Sequence, residues 1–318
     1  MVAIENKRIT FSAFISLLLL FWLCKLDCNN QNGWHYVPFE ESMAKVGNHY
    51  EEFMRKGRKR FRHINFGMRN IEVFYFFRDL YEKNKKLICE NKKQGNIPKI
   101  IHQIWLGSEL PERYKNLAEG WKKYHPDWEY RLWTDKDVET FDMHNRDLFE
   151  KTTNYGGKSD IWRCEILYQH GGLYIDTDFE CLKNFDMLNE NFEFYCGVEP
   201  LAVKIILGNA IIASIPGHPI LKRYLEQMRS NAEHIKKRSC INGKRRFSKL
   251  LEIALQAGPF LLTKVFIETV KRLSVQEHEK VIVFPASYLY PISLGCAVKE
   301  FRETFGVHHW DATWCSQA

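Results

Sequence analysis

At 318 residues, with 45% apolar and 27% charged residues, the chain can bury a substantial core, which excludes global disorder. A net charge of +7 favours anionic partners such as nucleotides, phospholipid surfaces or nucleic acid. Much of the excess sits in one run (Arg55, Lys56, Arg58, Lys59, Arg60 and Arg62), which reads as a solvated helix face.

The N-terminus carries Lys7 and Arg8, then the apolar run from Phe11 to Cys24, then Lys25. Residues 1–29 therefore read as a signal anchor or a signal peptide. Basic residues before the run place the N-terminus in the cytosol and the C-terminal domain on the non-cytosolic side of a membrane, with secretion as the alternative. The nine cysteines show no C-x-x-C pair and no zinc-type spacing, so one or two disulfides are the most the pattern suggests. No N-x-S/T acceptor for glycosylation occurs. Residues 30–97 are charged, aromatic and helical in pattern, and read as a stem or cap without a catalytic signature.

The character of the chain changes at Pro98, where a domain over 98–318 begins. "PKIIHQIWLG" predicts a first core strand, "YKNLAEGWKKYHP" a helix and "EYRLWT" a second strand. "DKDVETFD" opens a helix with Thr134 or Asp135 as its cap. "GGKSDIWRCEILYQHGG" is a helix bracketed by glycines, and "GGLYIDTD" is a buried strand ending in Asp176 and Asp178. "FEFYCGVE" and "GNAIIAS" predict further strands, and "HPILKRYLEQMRS" and "PFLLTKVFIETVKRL" further helices; "KVIVFPASYLYP" reads as a late strand. Strands alternating with helices predict an α/β domain with a parallel or mixed sheet flanked by helices.

Two D-x-D triplets occur. Asp135-Lys136-Asp137 lies at a helix start, where capping accounts for it. Asp176-Thr177-Asp178 lies at the carboxyl end of a core strand, where open α/β sheets bind ligands. In an extended chain its two carboxylates point to the same side, a costly arrangement without a cation. Hard oxygen ligands suit Mg²⁺ or Mn²⁺, with phosphate oxygens and water completing the shell. Asp160 and Arg163, three residues apart, share a helix face that the Gly171–Gly172 link returns alongside this strand. Together they offer an acidic acceptor for sugar hydroxyls and a guanidinium for an anionic group. No P-loop or dinucleotide fingerprint competes for a nucleotide role.

The segments "IPKIIHQIWLG", "HPDWEYRLWTD", "KSDIWRCEILYQHGGLYIDTD", "NAIIASIPGHP" and "HHWDATW", in this order, resemble glycosyltransferase family 32, the D-x-D sugar-binding family. Its members include fungal initiating mannosyltransferases and the glucosylating domains of clostridial toxins. The resemblance runs from about Pro98 to Trp314 and implies a GT-A-type nucleotide-sugar-binding fold. It also implies a UDP- or GDP-linked hexose donor, Mn²⁺ or Mg²⁺, and transfer with retention to a glycan, lipid or protein acceptor. By position, Trp105 would stack on the nucleobase, while Ser159, Asp160 and Arg163 would bind the donor. Asp176 would contact ribose and metal, and Asp178 would ligate the metal. Asn209 would face sugar or acceptor. In the tail, Thr313 stands where the family has serine; Trp314 would close over the diphosphate, and His309 is chosen as the histidine facing the metal. The competing expectations are a metal-dependent sugar-nucleotide hydrolase, or a membrane-tethered module binding carbohydrate or nucleic acid without catalysis. Nucleic acid is not the expected partner.

Overall fold

The computed structural model of the chain describes residues 34–47, 49–56, 68–201, 204–241, 244–245, 249–292 and 300–313. The N-terminal apolar run, most of the basic run and Trp314 lie outside the described residues.

Residues 34–90 contribute helices α1 (Phe39–Lys45) and α2 (Asn70–Asn84). They do not stand apart from the sheet. Trp34, Phe39, Phe74, Phe77 and Tyr81 are buried in the same apolar cluster as Phe266, Phe284 and Tyr288. Tyr81 donates a hydrogen bond to the Tyr288 hydroxyl at 2.8 Å, and Tyr288 donates to the His35 carbonyl at 2.8 Å.

From Pro98 onward the elements follow the predicted alternation. They are β1 (Ile100–Ile104), α3 (Glu112–Tyr124), β2 (Glu129–Trp133), α4 (Tyr155–His170) and β3 (Gly172–Ile175), then β4 (Phe179–Cys181), β5 (Phe194–Val198) and β6 (Leu207–Ser214). α5 (Pro219–Ser239), α6 (Lys249–Gln256), α7 (Pro259–Val270), β7 (Val281–Phe284) and β8 (Gly306–His308) complete the set used below. α3 buries Tyr114, Ala118 and Trp121, one stripe at helical spacing, and leaves its lysines in water. Thr134 caps the short helix Asp135–Thr140 in a reciprocal capping box with Asp137, which disposes of the first D-x-D as a capping feature.

The main sheet runs β2-β1-β3-β6-β5-β7. Only β6 is antiparallel to its neighbours; β1 pairs parallel with β2 and β3, and β5 pairs parallel with β7. This is the mixed sheet flanked by helices expected of a GT-A-type domain. The late strand is shorter than its apolar run suggested. It ends at Phe284, and Pro285 starts the short helix Ala286–Leu289, since a proline cannot donate into a ladder but fits a helix start. The stretch Leu251–Val270 is long and apolar enough to cross a membrane by composition. It folds instead as α6 and α7, with a break at Ala257–Gly258 and most of its surface buried in the domain.

The turn from α4 into β3 needs glycine twice. Gly171 and Gly172 have φ of 64° and 95°, and a Cβ on Gly171 would lie 2.6 Å from Pro216 and 2.9 Å from Pro98. This tight return brings the buried face of α4 over the end of β3. Beside it, fully buried His102 accepts a hydrogen bond from the Trp133 indole at Nδ1 (3.1 Å), leaving Nε2 to donate to the Gly171 carbonyl (2.9 Å). Both nitrogens are therefore committed in the neutral tautomer, and burial lowers the His102 pKa to about 3. His218, also buried, is lowered to about 4 for the same reason. Below pH 6.5 the unfolded chain takes up protons that these folded histidines refuse, so their contribution is present above 6.5 and is lost as pH falls toward 4. Denaturant titrations should show unfolding free energy dropping by on the order of 3 kcal/mol from His102 between pH 7 and pH 4. His102→Gln should flatten that slope; an unchanged slope would show that His102 is not held neutral.

Candidate active site

All the sequence-identified carboxylates on α4 and β3 converge at one edge of the sheet. The D-x-D does not continue the strand, however. β3 stops at Ile175 and residues 176–178 form a turn closed by Phe179 N–H donating to the Asp176 carbonyl at 3.1 Å. The two carboxylates thus meet through a turn rather than through strand alternation. Asp176 is tied to the sheet by its N–H on the Ala210 carbonyl (2.8 Å) and by Gln103 on its carbonyl (3.3 Å).

Arg163, 4% exposed, organises the inner half of the site. Its Nη2 lies 3.0 Å from Asp160 Oδ1 and its Nη1 3.3 Å from Asp176 Oδ1. Nε donates to the Ser159 carbonyl at 3.1 Å, Nη1 donates to the Asn209 carbonyl, and the guanidinium lies 4.5 Å from the Tyr174 ring centre. Tyr174 in turn donates to Asp176 Oδ1 at 2.8 Å, and Asn209 Nδ2 donates to Asp160 Oδ1 at 2.7 Å. Burial pushes Asp160 up to about 7 against the pull of Arg163, and raises Asp176 as well. A carboxyl this desolvated gains from a hydroxyl donated by a ligand.

The outer half is built by the tail. β8 pairs antiparallel with β4, setting His308 opposite Phe179 and Val307 opposite Glu180. His308 stacks on Phe179 (5.7 Å) and reaches Asp178 Oδ1 with Nε2 at 3.2 Å. His309 turns the other way and bonds Glu180 at 3.0 Å. One histidine of the pair does face the aspartates, but it is His308, and the choice of His309 is corrected. The error came from the register of β8 on β4, which decides which residue of an alternating pair faces inward. Asp178, 8% exposed, also accepts from the Asp311 N–H at 2.9 Å. Burial would raise its pKa, but the hydrogen bond and charge of His308 carry it below the ordinary carboxylate value.

Asp176, Asp178 and His308 each offer a ligand atom, all within 4.8 Å of one another. His308 Nδ1 is buried without a hydrogen-bond partner, while Nε2 is the nitrogen turned to Asp178. Two carboxylates and an imidazole fit a divalent cation, and the nitrogen donor suits Mn²⁺ better than Mg²⁺. These groups line a cavity of about 630 Å³. At its β1 end stand Trp105 and Tyr114, with ring centres 5.2 Å apart, and Arg113, paired with Asp311 at 3.1 Å. Ser159 and Thr313 also line it, as do Asn209 and Glu199 toward the other end. Tyr174, Tyr114, His308, Asp311 and Glu199 had not been singled out from sequence. Only His308 carried a usable signal, as the neighbour of the residue chosen.

A family profile described as "Glycosyltransferase sugar-binding region containing DXD motif" matches residues 111–195. Inositol phosphoceramide mannosyltransferase 1 of Schizosaccharomyces pombe is 32% identical over 197 residues, 60% of this chain and 56% of the relative. Inositol phosphoceramide mannosyltransferase 2 of the same organism is 33% identical over 141 residues, 43% and 40% of the two chains. The chain thus spans about half the length of the curated relatives it matches. Among solved structures, PaToxG glycosyltransferase is similar with a TM-score of 0.45 and 20% identity, covering 65% of this chain and 83% of that one. The UDP-bound glycosyltransferase domain of the YGT toxin is similar with a TM-score of 0.43 and 12% identity, over 60% and 80%. Asp176 and Asp178 are the acidic positions of the D-x-D within the matched residues 111–195, and over that stretch the chain is similar to the glycosyltransferase sugar-binding region.

Proposed function

We propose that this protein transfers a hexose from a nucleoside-diphosphate sugar to a lipid-borne polyol of the inositol phosphoceramide type, with retention of anomeric configuration. The observation that carries the reading is the Arg163 network. One buried guanidinium joins the sugar-side carboxylate Asp160 to the metal-side carboxylate Asp176, and both open into one cavity. The acceptor class rests on the names of the similar fungal mannosyltransferases, and retention on the family resemblance.

In this reading the flat rings of Trp105 and Tyr114 receive the nucleobase at the β1 end. Asp160 accepts hydroxyls of the donor sugar and is itself held in place by Arg163 and Asn209. Arg163 keeps a positive charge beside the position of the diphosphate, in a site already dried by burial, where such a charge acts most strongly. Trp310 packs over His308 at 4.3 Å and is anchored by its indole on the Ile292 carbonyl, shielding the metal side from water. Asp176, Asp178 and His308 would hold the divalent cation, which as a Lewis acid stabilises charge on the departing diphosphate. Mn²⁺ should support turnover better than Mg²⁺ in a metal-replacement series; preference for Mg²⁺ would remove His308 from the ligand set. Proton NMR of the first-formed product tests retention: an α-linked donor should give an α-linked product, and inversion would contradict it.

We further place the domain on the non-cytosolic side of a membrane, held by the N-terminal apolar segment. Cys89 is disulfide-bonded, which suits an oxidising compartment. Full-length protein should sediment with membranes and resist carbonate extraction, while removal of residues 1–28 should yield a soluble enzyme of undiminished activity. A native mature chain beginning near residue 29 would show a cleaved signal instead.

A further inference from the structure

The site residues stand in order along the sheet. Trp105 follows β1, Asp176 follows β3, Asn209 lies on β6, and Glu199 follows β5, the next strand out. β5 and β6 run so that Val198 pairs with Leu207, and Glu199 N–H donates to the Ile206 carbonyl at 3.0 Å. Glu199 therefore projects from the same edge as Asp176 and lies two strand spacings, roughly 10 Å, from β3.

Its side chain lines the cavity and is half-buried. Among the described residues it makes no side-chain hydrogen bond and no ion pair. Of the cationic groups lining the cavity, Arg163 is committed to Asp160 and Asp176, Arg113 to Asp311 and His308 to Asp178. A half-buried carboxylate without a donor is costly, and the cost is relieved when a ligand supplies hydroxyls to it. The donor sugar already has Asp160, Asn209 and Arg163, all on the metal side of β5.

We propose that Glu199 binds the acceptor: its carboxylate receives neighbouring hydroxyls of the polyol ring that accepts the sugar, beyond Asn209 in the cavity. This rests on the transferase reading above and assigns the acceptor end of that same site.

The probe is myo-inositol, titrated by saturation-transfer NMR against full-length protein holding Mn²⁺ and nucleoside diphosphate. Acceptor-free hydrolysis of nucleotide sugar is measured in parallel. Glu199→Ala should raise the apparent Kd for myo-inositol about tenfold or more, the loss of hydrogen bonds to a half-buried side chain, with Glu199→Gln between it and wild type. Nucleotide affinity and acceptor-free hydrolysis should stay within about twofold of wild type, since the donor contacts lie elsewhere. Equal myo-inositol binding in wild type and Glu199→Ala, or none in wild type, would overturn the proposal. So would a loss falling on acceptor-free hydrolysis, which would put the carboxylate on the donor sugar. Failure of the transferase reading is separately visible as wild-type protein that neither hydrolyses nor transfers any nucleotide sugar.

Discussion

Asp178→Asn should give a folded protein that no longer transfers sugar. The substitution keeps the shape of the side chain and an oxygen for the Asp311 N–H, so the tail retains its anchor. What is lost is the negative charge facing His308 and a carboxylate of the metal set. A Lewis acid at a departing diphosphate contributes several kcal/mol of transition-state stabilisation, so transfer should fall by roughly 10³-fold. The apparent melting temperature should move by no more than about 4 °C, the equivalent of about 1 kcal/mol or less in a chain of this size. Metal-dependent transfer surviving in the folded variant would remove Asp178 from the metal site. Conversely, a large fall in stability would mean its main role is to hold the tail.

Arg163→Lys should damage both activity and stability, and this separates it from Asp178. A lysine ammonium cannot span Asp160, Asp176 and the carbonyls of Ser159 and Asn209 at once, nor stack flat on Tyr174. At least one buried carboxylate or carbonyl is left without its donor, at a cost of roughly 2–3 kcal/mol in unfolding free energy. Transfer should fall by roughly 10³-fold because Asp160 loses its orientation as well as its counter-charge. The checks are denaturant titration and transfer kinetics on the same preparation. An Arg163→Lys enzyme with normal kcat would show the network to be structural only.

Much of this site is legible in the sequence. The core strands from Ile100 and Glu129, the helix over Tyr155–His170 and the glycine return into β3 follow from apolar runs and glycine punctuation, which are local signals. Asp160 and Arg163 at helical spacing are local too, and their ion pair is present. Contacts that depend on pairing between distant segments were not readable. His308 faces Asp178 because β8 lands on β4 in one register, and a shift of one residue would have selected His309. The Asp176–Asp178 turn escaped notice because an apolar run shows where a strand can lie but not at which residue it stops. Glu199 gave no signal at all. In sequence it is an acidic residue before a proline, and only the β5–β6 pairing brings it to the cavity edge.

Product analysis separates sugar transfer from a nucleotide donor from simple hydrolysis of that donor. The protein is incubated with a panel of UDP- and GDP-linked hexoses and Mn²⁺, with and without inositol phosphoceramide in mixed micelles, and the lipid fraction is resolved by mass spectrometry. One donor should yield a lipid heavier by a single hexose, only with metal, and not in Asp178→Asn. Free hexose released at the same rate with or without acceptor, with no hexosylated lipid, would contradict it and mark the protein as a sugar-nucleotide hydrolase.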